Sequence, residues 1–211
     1  MKKIITVDGP AGSGKEKISK YIARKYKFYH IDSGTLYRRL AYILERKNIK
    51  TYEVSKIKNS LKKIKKLSLR KTQNLRKERI GKVASEIAKL DFVRYFINCQ
   101  QRLATKTTNK KKGFVIDGRD IGSVVFKKAS LKLYIVVDVN IRAKRRYKQL
   151  IDNGEKSIYL KILKDIKLRD KTDKTRKNSP LVVPRGAKII NNSHTFKKTI
   201  AQIRNIIEGI N

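Results

Sequence analysis

The chain reads as an α/β protein built on a five-stranded, mostly parallel sheet flanked by helices. Three observations predict this. Short apolar runs alternate with helical stretches, the runs are apolar at successive positions as in strands buried on both faces, and a glycine-rich turn joins the first run directly to a helix.

KIITVD (3–8) is a β-branched run ending at that turn, and Ile18, Tyr21 and Ile22 then fall at helical spacing between Lys15 and Tyr26. FYHI (28–31) gives a second strand. DSG (32–34) supplies natural helix caps and opens a helical pattern through Leu36, Leu40, Ile43 and Leu44. Residues 50–75 are lysine-rich with sparse apolar positions, and from Arg76 to Thr105 one long helical pattern runs through Ile80, Val83, Ile87, Val93 and Ile97. GFVID (113–117) and LKLYIVV (131–137) are strands of the buried type. Asn140 to Thr175 is helical and basic with a break at DNG (152–154), AKII (187–190) is the last strand, and 195–208 is a closing amphipathic helix.

A chain of 211 residues suits one domain, 1–211, with insertions. The single Cys99 forms no intramolecular disulfide, and no apolar stretch approaches a membrane span, so a cytoplasmic protein without a membrane partner is expected. The net charge of +38 points towards nucleic acid, but lysines number 9, 10, 9 and 10 in successive fifties. Charge so evenly spread reads as a solvated surface, and no specific nucleic-acid partner is expected.

In such sheets ligands bind at the carboxyl ends of strands, here just after residues 8, 31, 117 and 137. The first of these is GPAGSGK: Gly9, Pro10, Ala11, Gly12, Ser13, Gly14 and Lys15. Its glycines let backbone N–H groups curl around an anion, the following helix aims its positive end at the same spot, and Lys15 reaches the terminal phosphates of a donor. Glu16 and Lys17 depart from the pattern, which places a magnesium-binding hydroxyl there. Glu16 is read instead as a direct magnesium ligand or as a carboxylate offset by Lys17.

IDGRDIG (116–122) sets Asp117, Arg119 and Asp120 at a strand end. A planar fork suits a phosphate, and a carboxylate suits hydrated magnesium or an exocyclic amine, although Asp-Gly is also a common turn. RDKTDKTR (169–176) puts Arg169, Asp173 and Arg176 on one helix face, a spacing equally common in solvated salt bridges. Ser33, Tyr37 and Arg38 follow the second strand, where a helix cap is the alternative.

The ordered set GPAGSGK, IDSGTLYR, IDGRDIGSVVF and RDKTDKTRKNSPL resembles the bacterial cytidylate kinases, phosphate-loop nucleoside monophosphate kinases that phosphorylate CMP and dCMP with ATP. The resemblance spans almost the whole chain and is poorest over about 50–75. It implies a core of 1–34, 113–139 and 180–211, an acceptor-binding helical region at about 35–112 and a lid at about 140–179. It implies that Ser85, Arg94 and Asp120 contact cytosine, that Arg38, Arg119 and Arg176 grip the CMP phosphate, and that Arg169 and Asp173 lie near the sugar. Ser33 and Tyr37 fall at the acceptor nucleotide. Arg142, Arg145 and Arg146 begin the lid over ATP, and ATP with Mg2+ is the expected donor, the metal held through Glu16 or Asp117. The enzyme is expected to be a monomer. Two other readings stand beside this one: another phosphate-loop kinase acting on UMP, AMP or a cofactor precursor, and a catalytically impaired descendant with nucleic-acid affinity.

Overall fold

The computed structural model describes residues 3–107 and 112–209. Its elements are β1 (Lys3–Asp8), α1 (Lys15–Lys25), β2 (Tyr29–Asp32), α2 (Ser33–Arg46), α3 (Val54–Lys62), α4 (Glu78–Ile87), α5 (Asp91–Thr107), β3 (Gly113–Gly118), β4 (Leu131–Val136), α6 (Val139–Asp152), α7 (Tyr159–Thr175), β5 (Lys188–Asn191) and α8 (Phe196–Glu208). The strands lie in the order β2-β3-β1-β4-β5. β1 runs parallel to both β3 and β4, and β4 runs parallel to β5. Central β1 and β3 carry apolar residues on both faces, which is why neither shows a period of two.

The chain divides into two compact units. The first comprises Met1–His30 with Lys112–Asn211. Its core joins Ile18 and Ile22 of α1 and Ile200, Ile203 and Ile207 of α8 to Val7, Val115, Leu133, Ile135 and Ile190 of the sheet. α6 and α7 form a helical pair with a small core of Ala143, Leu150 and Ile162, closed by an edge-on contact of Tyr147 with Tyr159. The second unit, Ile31–Lys111, has its own core of Leu36, Leu40, Leu44, Ile57, Ile80, Ile87, Val93 and Ile97.

Two local readings are corrected. The long helix expected over 76–105 is broken: α4 ends at Ile87, the chain turns through 88–90, and α5 starts at Asp91. The periodicity runs through the turn because Val93 and Ile97 reach the same core as Ile80 and Ile87. Within 50–75, three residues of α3, Ile57, Ser60 and Leu61, are buried, few enough for the lysines to hide the pattern.

Candidate active site

β1 delivers the chain to a loop whose backbone only glycine adopts easily. Gly14, at the N-cap of α1, has φ +81°, and a β-carbon there would lie 2.5 Å from the side-chain nitrogen of Asn192. Lys15, the next residue, is buried, and its Nζ donates to the carbonyl of Pro10 at 2.9 Å. Burial, reinforced by the charges of Arg119 and Arg169, lowers the Lys15 ammonium from the ordinary 10.5 to about 7; Asp117 and Asp173 oppose this.

The groups from the ends of β1 and β3 and from α7 come together in the first unit. Asp173 accepts from Arg119 Nε and from Arg176 Nη1, each at 2.9 Å, so one carboxylate holds two guanidinium groups in register. Burial tends to raise its pKa, but Arg119, Arg176 and Arg169 outweigh that and hold Asp173 below the usual carboxylate range. Arg176 Nε also donates to the carbonyl of Ser179 at 2.6 Å. Asp120 is buried, while Arg169 is exposed and acts on Lys15 and Asp173 through its charge. The shared-face reading of Arg169, Asp173 and Arg176 thus describes part of a cation cluster.

Arg142, Arg145 and Arg146, all on α6, have different surroundings. Arg142 is buried: Nε donates to Val137 O (3.2 Å), Nη1 to Ala11 O (3.1 Å) and to Asp170 (3.1 Å), and Nη2 to the other oxygen of Asp170 (2.6 Å). Arg145 donates to the carbonyls of Asn192 and His194. Arg146 reaches Gln149 on its own helix.

At the loop's departure from pattern, Glu16 pairs with Lys20 at 2.8 Å on the exposed side of α1, and Lys17 lies over the ring of Phe196 at 4.2 Å. Lys17 therefore faces Phe196 of α8, and Glu16 reaches Lys20 one turn further along α1. Asp117 meets His30 Nε2 at 2.5 Å. No group of three or more His, Cys, Asp or Glu side chains able to hold a metal occurs among the described residues. Asp117, near the end of β3, is a carboxylate of the kind that holds magnesium together with a substrate's own phosphates.

In the second unit, α2 carries Ser33, Tyr37 and Arg38, α4 carries Ser85 and α5 carries Arg94. Ser33 and Arg94 are buried, and the Arg94 guanidinium lies 5.8 Å from the centre of the Tyr37 ring. Asp32 accepts from Lys71 Nζ (2.7 Å) and Thr35 Oγ1 (3.0 Å). Burial raises its pKa, yet the Lys71 bond and charge, with Thr35 and Arg38, bring it down to about 2.

Sequence reasoning missed several of these groups. Asp8 accepts from the backbone N–H groups of Ile121 (2.8 Å) and Gly122 (2.7 Å), tying the strand before the phosphate loop to the segment after IDGRD. Burial raises its carboxyl to about 6 against those two hydrogen bonds. A carboxylate ending a central apolar strand was the available signal. His30, Lys71, Asp170 and Asn192 carried none, because only their partners reveal them.

Residues 5–210 match the sequence model of the family described as cytidylate kinase. A cytidylate kinase from Bartonella bacilliformis is 38% identical over 190 residues, covering 90% of this chain and 86% of that protein. One from Caldicellulosiruptor saccharolyticus is 36% identical over 217 residues, covering 96% and 94%. Among solved structures, a shikimate kinase from Bacteroides thetaiotaomicron aligns with a TM-score of 0.53 at 12% identity over 99% of both chains. A Thermus thermophilus protein aligns at 0.56 and 11% identity over 100% of this chain and 98% of its own. These two likenesses concern the fold alone.

Proposed function

The chain belongs to the cytidylate kinase family and phosphorylates CMP and dCMP at the expense of ATP, and from that premise we propose how its residues divide the work. Gly9 to Lys15 hold the donor phosphates through backbone N–H groups and the Lys15 ammonium. Arg119 and Arg176, spaced by Asp173, grip the acceptor phosphate with Arg38, and Arg169 and Asp173 serve its sugar. Ser85, Arg94 and Asp120 read cytosine, with Ser33 and Tyr37 on the acceptor nucleotide. Arg142, Arg145 and Arg146 begin the lid over ATP. The observation that carries this assignment is the Arg119–Asp173–Arg176 array: motifs more than fifty residues apart meet on a single carboxylate.

Phosphoryl transfer needs two anions brought in line and their charge neutralised, and little acid–base chemistry. CMP supplies its own nucleophilic oxygen, so Lys15 and these arginines suffice as protein chemistry. Magnesium, when bound, adds charge neutralisation on the donor phosphates. Asp117, which meets His30, and Glu16, which pairs with Lys20 at the surface, are the carboxylates that would hold it. Residues 35–112 form the acceptor-binding region and 140–179 the lid, in a cytoplasmic, monomeric enzyme; the separate core of the second unit supports the first boundary.

Ser85→Ala and Arg94→Ala are expected to raise KM for CMP by about tenfold or more while leaving KM for ATP unchanged. Equal changes in both constants would remove these residues from base recognition.

A further inference from the structure

A backbone loop holds phosphate through its N–H groups, and a peptide that turns its N–H inward turns its carbonyl outward. The outward carbonyls must then be held, or the peptides are free to flip. Two carbonyls of the phosphate loop are held by side chains from outside it: Ala11 O by Arg142 Nη1, and Ser13 O by Asn192 Nδ2 at 2.8 Å. We propose that Asn192 is a positioning residue for ATP, its side-chain amide keeping the Ser13–Gly14 peptide in the anion-binding orientation.

Asn192 is over-determined in this position. Its Oδ1 accepts from Thr199 Oγ1 at 2.8 Å, which fixes the end of the amide that carries the N–H groups. Its backbone N–H donates to Val136 O at 2.9 Å, and its carbonyl accepts from Arg145 Nη2 at 2.9 Å. The side chain is buried, so no water competes for Ser13 O from that side. Gly14 completes the fit, because any β-carbon there would collide with the same Nδ2. Asn192 thus acts through the Ser13 carbonyl, and the end of β5 and the start of α8 become part of the phosphate site.

The proposal rests on reading residues 9–15 as the seat of ATP's phosphates. Its test uses the full chain, titrated separately with ATP and with CMP by calorimetry, alongside steady-state constants and thermal melting. Asn192→Ala is expected to weaken ATP binding about tenfold, the worth of one buried hydrogen bond, and to leave CMP binding unchanged. Thr199→Val, which frees the amide to turn while leaving Asn192 in place, is expected to shift ATP in the same direction by a smaller factor, and it decides the matter if Asn192→Ala does not fold. A lower melting temperature with ATP binding intact, or equal weakening of ATP and CMP, would make Asn192 merely structural and overturn the proposal. Should the wild-type chain bind ATP without phosphorylating CMP, the functional reading fails while the ATP titrations still decide the role of Asn192.

Discussion

ATP binding should draw a proton onto Lys15 at pH 8 and almost none at pH 6. Burial, with Arg119 and Arg169 nearby, holds its ammonium at about 7 in the ligand-free protein, against 10.5 ordinarily. Donor phosphates would return it towards or beyond the ordinary value, since an opposite charge favours the charged form. At pH 8 a group titrating near 7 is about 90% neutral, so ATP binding should draw in about 0.9 proton; at pH 6 it is already about 90% charged, and the uptake by Lys15 itself should fall to about 0.1. The sign is uptake, because the bound state has the higher affinity for the proton. Calorimetric titration of ATP at pH 8 in buffers of different ionisation enthalpy reads the proton number from the slope of apparent enthalpy against ionisation enthalpy. Lys15→Met should abolish the slope. A wild-type slope near zero at pH 8, or the same slope in Lys15→Met, would refute the account of this lysine.

Three further outcomes follow from the site. Asp173→Asn leaves the Arg119 and Arg176 guanidinium groups without their shared carboxylate and should lower kcat/KM for CMP by about a hundredfold, measured by ADP release. Glu16→Ser exchanges an exposed ion pair with Lys20 for the hydroxyl the loop pattern calls for; stability should change by no more than about 0.5 kcal/mol while magnesium binds more tightly and turnover rises, and unchanged magnesium dependence would count against it. Asp8 is held at about 6 by burial, so between 3.8 and about 6 the folded chain keeps a proton that the unfolded chain releases. This group's contribution therefore favours folding less as pH rises through that window, and denaturant melts of Asp8→Asn should lack that part of the wild-type pH slope.

The parts legible in the sequence were those written in consecutive residues. GPAGSGK and IDGRDIG lie at ends of strands whose apolar runs are unbroken, so motif and placement supported each other. The break between α4 and α5 was hidden because 88–90 contain neither Gly nor Pro and the apolar period resumes on the same core. Positions acting through a distant partner were hidden more completely. His30 lies 87 residues from Asp117, Asp8 lies 113 from Ile121, and Asn192 lies 179 from Ser13. Such pairs are set by strand order in the sheet, which local propensity does not encode. Glu16 and Lys17 were legible as departures, but the side each faces depended on Lys20 and Phe196.

The central claim, that these cations serve transfer from ATP to a cytosine nucleotide, is tested most directly by ADP release from the wild-type protein with ATP, magnesium and, in turn, CMP, dCMP, UMP and AMP. The account predicts kcat/KM for CMP and dCMP above that for UMP and AMP by about a hundredfold, the size of discrimination that buried polar recognition of a base supports. Equal or faster reaction with UMP or AMP, or no ADP release above ATP hydrolysis with any acceptor, would contradict it.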